Sequence, residues 1–101
     1  MGTRLELQSL LESLLGSRNV YYNPPESVKM NYPAIKYSLS SIRKDSANNK
    51  GYMLRDNYEL IVISRESDPP IVKELLSLPY CSFNRPYKAD NLNHYVLSIF
   101  Y

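Results

Sequence analysis

The chain has no Trp, one Cys, one His and only three Gly among its 101 residues, and twelve Lys and Arg nearly cancel ten Asp and Glu to leave a net charge of +2. Each scarcity excludes something. The lone Cys81 permits no internal disulfide and no multi-thiolate zinc site, so the fold is expected to rest on its core and to be compatible with a reducing compartment. Nucleophilic catalysis would have to use His94 with Asp90 or Asp56 and with Cys81 or a Ser, and no nucleophile elbow surrounds any Ser. A metal set drawn from His94, Asp90 and Cys81 lacks the paired ligand spacings of a zinc motif, and Gly2, Gly16 and Gly51 form no phosphate cradle. Asp56 and Glu59, three apart on a strand, would point to opposite faces rather than share a magnesium ion. No enzymatic activity, cofactor or metal is therefore expected. The small net charge lacks the footprint of a dedicated nucleic-acid binder. No apolar run approaches the ~18 residues that span a bilayer, no secretory leader pattern opens the chain, and Glu6 stands where a myristoylation motif wants Ser or Thr. A soluble protein without a membrane partner, cytosolic where it is made, is the expectation.

What is present is a chain 44% hydrophobic with ten Tyr, of a length that suits one domain spanning residues 1–101. Thr3-Arg4-Leu5-Glu6 fits a capping box, and Leu7, Leu10, Leu11, Leu14 and Leu15 follow at the helical period with Gln8, Ser9, Glu12 and Ser13 opposite; Gly16 is placed to end the helix. Fewer than two heptads precede that Gly, too few for a zipper. Val20-Tyr21-Tyr22 is a short β-prone run closed by Asn23-Pro24-Pro25, and residues 23–33 read as a surface connection. Ile35, Tyr37 and Leu39 alternate with Lys36, Ser38 and Ser40, the period of a strand with one wet face. Residues 54–64 predict a second long strand with Tyr58, Leu60 and Val62 on one face and Ile61 and Ile63 on the other, hence a central position. A polar, Gly-containing loop joins the two as an antiparallel hairpin. Asp68 is placed to cap a second helix opening at Pro69, carrying Ile71, Val72, Leu75, Leu76 and Leu78 inward and ending at Pro79. Residues 80–94 read as a long irregular loop, and 95–101 as an interior strand.

The order helix-strand-strand-strand-helix-strand predicts an α+β fold, an antiparallel or mixed sheet of about four strands with both helices packed on one face. The other face then needs a cover. Tyr21, Tyr22, Tyr37, Tyr58, Tyr95 and Tyr101 fall in the predicted strands, and tyrosine suits surfaces that bury a ring and wet a hydroxyl. Self-association through that face is the expectation, with Tyr37, Tyr58, Tyr95 and Tyr101 as subunit-interface residues; the alternative is ordinary sheet tyrosines with exposed hydroxyls. Arg43, Lys44, Lys50, Tyr52 and Arg55 mark a basic hairpin segment, a candidate contact for a partner or for nucleic acid, or simply a solvated loop.

Three stretches carry a likeness to a known group: Gly16-Ser17-Arg18-Asn19-Val20-Tyr21-Tyr22-Asn23-Pro24-Pro25-Glu26-Ser27, Met30-Asn31-Tyr32-Pro33-Ala34-Ile35, and Leu78-Pro79-Tyr80-Cys81-Ser82-Phe83 with Ala89-Asp90-Asn91-Leu92-Asn93-His94. Together they resemble small proteins encoded in the head-to-tail region of long-tailed phages and prophages of Gram-positive bacteria. Within that group the element order is similar to tail terminator (tail completion) proteins. The resemblance implies a structural subunit of a homo-oligomeric ring, typically a hexamer, at the head-proximal end of the tail tube, found in the virion tail or neck and in the host cytoplasm during assembly. It implies the tail tube protein and a head-neck protein as partners, with Arg43, Lys44, Lys50, Tyr52 and Arg55 facing the tube or a lumen with non-specific contact to DNA. Phe83, Arg85, Tyr87, Lys88, Asp90 and His94, in the segment 80–94, would dock a neighbouring head or tail component. Another neck or head-tail connector protein, or a small module binding single-stranded nucleic acid through tyrosines and nearby basic residues, are the competing expectations.

Overall fold

A computed structural model describes residues 4–25, 29–46 and 52–101. Two helices and five strands follow in the order α1 (Arg4–Leu15), β1 (Val20–Tyr22), β2 (Ala34–Ser46), β3 (Tyr52–Ser64), α2 (Pro70–Leu76), β4 (Cys81–Ala89) and β5 (Leu92–Phe100). The strands form one mixed sheet in the spatial order β1-β2-β3-β5-β4. The α+β class of the sequence reading holds, with one strand more than expected.

Register fixes the faces. Ile35, Val62 and Tyr95 lie side by side across β2, β3 and β5, as do Tyr37, Leu60 and Leu97, and then Leu39, Tyr58 and Ile99. These residues share a face with Val20 and Tyr22 of β1, which pairs parallel to β2. Leu7 and Leu11 of α1 and Ile71 and Leu75 of α2 complete one core cluster with that face, so both helices cover the same side. The leucine stripe of α1 behaves as its spacing predicts: Leu7 and Leu11 are fully buried, and Leu14 and Leu15 pack at the margin. Each buried leucine contributes roughly 1.5–3 kcal/mol of transfer free energy. Gly16 ends the helix at φ 78°, its N–H donating to the Glu12 carbonyl at 2.9 Å. The expected cap residue Thr3 lies outside the described residues.

Three sequence expectations require correction. Gln8 does not belong to the wet side of α1: its Nε2 donates to the Val20 carbonyl and to Glu12 Oε2, both at 3.0 Å, and its Oε1 accepts from the Tyr37 hydroxyl. Asp68 does not cap α2. It adopts φ 52° and its N–H donates to the Tyr95 hydroxyl at 2.9 Å, while Pro69 takes the cap position without a side-chain hydrogen bond and the helix opens at Pro70, where a missing N–H costs nothing. The segment 80–94 is not an irregular loop. Cys81–Ala89 and Leu92–Phe100 pair antiparallel around the two-residue turn Asp90-Asn91, with φ of 53° and 62°, the signature of a tight hairpin turn. Leu92 to His94 thereby extend the interior strand predicted for 95–101.

The β2–β3 hairpin outgrows the sheet. Its pairing runs from Ala34 opposite Ile63 to Ser46 opposite Tyr52, with one extra residue, Ser40, bulged between Leu39 and Ser41. β1 covers β2 only over Ile35–Tyr37, and β5 covers β3 only from Asn57 to Ser64. Beyond those rows the two strands continue as a free ribbon. The molecule measures 50 × 25 × 23 Å with a radius of gyration of 14.4 Å, above the ~13 Å of a compact chain of this length.

Candidate functional site

The residues picked out as a basic segment straddle the ribbon. Arg43 and Lys44 stand on β2 and Tyr52 and Arg55 on β3, with Arg43 opposite Arg55 and Lys44 opposite Leu54 in the backbone register, whereas Lys50 lies outside the described residues. At the base of the ribbon Ile42 and Leu39 are 59% and 42% exposed. Asn57, opposite Phe100 at the last row that β5 covers, holds a buried Oδ1 with no hydrogen-bond partner.

Of the four tyrosines expected at a subunit interface, two are buried in the chain's own core and two are half-buried beside it. Tyr37 and Tyr58 are 1% and 4% exposed within the chain's own core, and Tyr95 and Tyr101 pack against that core. They alternate onto the helix-covered face, so a second subunit cannot reach Tyr37 or Tyr58 without unfolding the first. Tyr22, Tyr37 and Tyr58 form a row across three strands, with ring centroids 4.9 and 5.9 Å apart in tilted and edge-to-face geometry, and the Arg4 guanidinium lies 4.5 Å from the Tyr22 ring centroid. Burial pushes the Tyr37 hydroxyl above its ordinary pKa, opposed in part by Arg4. It does the same to Tyr58, helped by the Asp56 carboxylate, which accepts from the Tyr58 hydroxyl at 3.4 Å. These phenols stay neutral and serve as packing and hydrogen-bonding groups.

The docking residues are re-sorted by the β4–β5 hairpin. Phe83, Arg85, Tyr87 and Lys88 stand on the outer strand β4, Asp90 in the turn and His94 on β5. Tyr87 faces His94 across the pair, their rings stacked at 4.6 Å and 16°, and the Arg85 guanidinium sits 5.4 Å from the Tyr87 centroid. This array lies on the face away from the helices, beside Val96 and Ile63. Sequence reasoning named its members without assembling them. Asp90-Asn91 has turn chemistry that the sequence shows, but the assembly follows only when that turn is a hairpin reversal, which puts residue 87 opposite 94 and 85 opposite 96. Phe83, two positions before Arg85 but across the irregularity at Asn84, shares the helix-side face with Leu97 and is 42% exposed.

The helix-free face is half apolar. Ile61, Ile63 and Val96 form its middle, Lys36, Ser38, Glu59, Ser82 and Ser98 form its surround, and Phe100 stands in the last row of β5. Val96 and Ile63 are already shielded by neighbouring side chains, at 2% and 6% exposure. Cys81 packs at the edge of the core, where burial pushes its thiol pKa up, as befits a small hydrophobe. A cleft of about 360 Å³ opens at the other end of the sheet between the end of α1, Tyr32-Pro33 and the β3–α2 connection, with Arg65 above the Tyr32 ring. Among the described residues no three His, Cys, Asp or Glu gather into a metal site, and no helix is long and apolar enough to cross a membrane.

No protein-family model matches the chain, and no curated protein matches it. The three surfaces just described, namely ribbon, β4–β5 hairpin and helix-free face, are thus the features from which a function can be argued.

Proposed function

We propose that the protein is a structural assembly subunit of a long-tailed phage or prophage, a tail terminator (tail completion) protein that forms a ring at the head-proximal end of the tail tube and joins tail to head. The observation that carries this reading is the ribbon: a small α+β body projects a two-stranded arm whose free part, five residues per strand at ~3.4 Å each, reaches about 17 Å. An arm of that length lets a small subunit touch partners its body cannot reach. Its basic segment, including Arg43, Lys44 and Arg55, faces the tube protein or a lumen in which DNA phosphates are contacted without sequence preference. The β4–β5 hairpin, carrying Phe83, Arg85, Tyr87, Lys88 and Asp90, docks the head-neck component. Subunit contacts fall to exposed edges and to the helix-free face rather than to Tyr37 and Tyr58.

Light scattering of the purified protein across concentration, at low and high salt and then with tail tubes, tests this reading. Rings that survive high salt, or that form on tubes, are expected. A strict monomer that ignores tubes refutes it. The Arg85-Tyr87-His94 array favours a second reading, a module that stacks single-stranded bases; in that case binding of a single-stranded oligonucleotide falls steeply with ionic strength.

A further inference from the structure

A sheet edge is a row of N–H and C=O groups that pairs with any strand of suitable polarity, and proteins usually block such rows with proline, bulges or charge. The outer strand β4 is blocked in this way, by Pro86, by the irregularity at Asn84 and by Arg85 and Lys88. The ribbon is different. Neither Pro nor bulge interrupts Ile42–Ser46 or Tyr52–Asp56, and both of its outer edges lack a strand neighbour among the described residues. On the β3 side the Asp56 carbonyl is taken by the Tyr101 N–H at 2.9 Å, which leaves Tyr52–Arg55 open. On the β2 side no described strand pairs past Tyr37, because Asn23, at φ 43°, turns the chain away after donating to the Tyr37 carbonyl.

The two open edges are complementary. They occupy the same rows of one hairpin and run in opposite directions, so the β2 edge of one upright copy meets the β3 edge of the next as an antiparallel pair, without tilt or inversion. Antiparallel pairing of β2 against β2 or of β3 against β3 would instead require one copy to be inverted, and β2 against β2 would set Arg43 and Lys44, which outweigh Asp45, against their own copies. A contact that joins two different surfaces is heterologous and closes into a ring when the rotation between neighbours allows.

We propose that the partner of the ribbon is the ribbon of a second copy of this chain, β2 of one pairing edge to edge with β3 of the next, so that the arms of a ring form a continuous collar of strands. The proposal rests on the ring reading above and names the contact that would close the ring. The surplus positive charge of each arm opposes collar formation at low salt; screening, or an anionic partner, releases it. Edge pairing thus awaits a trigger, which keeps an unblocked edge from promiscuous association.

The test uses the full chain in a Cys81→Ser background, so that each variant carries a single thiol. One set places Cys on β2 (Ser41→Cys, Arg43→Cys or Asp45→Cys) and the other on β3 (Met53→Cys or Arg55→Cys), each checked for native circular dichroism. Mixed pairwise at high salt and oxidised, and again on tail tubes, they are expected to give the β2–β3 heterodisulfide at least ten-fold over either homodisulfide for one register. Hydrogen exchange of peptides covering 38–46 and 52–56 is expected to slow at least ten-fold in the rings, while 81–89 is unchanged. Rings with unprotected ribbon amides and no heterodisulfide overturn the proposal and leave the terminator reading standing. Ribbon-paired oligomers that ignore tubes do the reverse, and predominance of β2–β2 disulfides overturns the head-to-tail collar in favour of a two-fold contact.

Discussion

Replacing Tyr37 by Phe removes one oxygen and leaves the ring in place, so it removes the hydroxyl, bonded to Gln8 and to Arg4, by which β2 holds α1. The Tyr37 hydroxyl donates to Gln8 Oε1 at 2.5 Å, and the same Gln8 side chain donates to the Val20 carbonyl, so one glutamine ties α1 to two strands. Without the hydroxyl, Gln8 keeps its two donors satisfied but its Oε1 loses its partner in a half-buried site. An unsatisfied group there costs about 1–2 kcal/mol. For a domain of this size that corresponds to a fall in Tm of about 5–10 °C. Urea unfolding followed by circular dichroism should show a lower midpoint at unchanged m, independent of protein concentration, and in a double-mutant cycle Gln8→Leu should largely erase the effect of Tyr37→Phe. If Tyr37→Phe changed stability by less than about 0.3 kcal/mol, or if its effect grew with protein concentration, Tyr37 would belong to an interface and the core assignment would be wrong.

Other expectations follow from the same geometry. Tyr37 and Tyr58 have folded pKa values raised above the ordinary 10.0, so folding favours their neutral forms; stability is intact below pH 10 and falls as pH climbs through the raised values, by up to about 1.4 kcal/mol per pH unit for each. Urea midpoints between pH 8 and 11.5 should show the decline, and Tyr37→Phe with Tyr58→Phe should flatten it. Asn91, at φ 62°, should tolerate Gly but lose about 1 kcal/mol on change to Ala, measured by thermal melts of the three proteins. Cys81, half-buried with a raised pKa, should react with a thiol reagent at pH 7.5 at least ten-fold slower in the native protein than in urea.

Strong periodicity made the body of the fold legible. Leu7 and Leu11 at the helical period, and Tyr58, Leu60 and Val62 against Ile61 and Ile63 at the strand period, each report a residue's burial through its neighbours' spacing. β4 was illegible for the same reason. Seven of its nine residues are exposed, so an outer strand with Pro86 in it buries no alternate set and leaves no period to read. The tyrosines failed differently: alternation puts Tyr37 and Tyr58 on one face, but only the docking of α1 decides whether that face is inside. Likewise Asp68 has the chemistry of a cap, yet the Tyr95 hydroxyl claims its backbone N–H and the helix begins after Pro69. The basic segment was visible as composition, while the arm that carries it depends on where β1 and β5 stop, which is a property of other parts of the chain.

The single unmatched residue at Ser40 has a further consequence. Leu39 stands beside Tyr58, but past the bulge it is Ile42, not Ser41, that stands beside Asp56, so the inward and outward parity of β2 reverses at that point. Below it, odd-numbered positions belong to the helix-covered side; above it, the register passes that side to even-numbered ones. The arm and the body therefore obey separate sequence grammars joined at one position. Substitutions in the arm leave untouched the alternation that the core requires, and deletion of that one residue would straighten β2 while keeping Ser41 opposite Asn57 and Ile42 opposite Asp56 on their present sides.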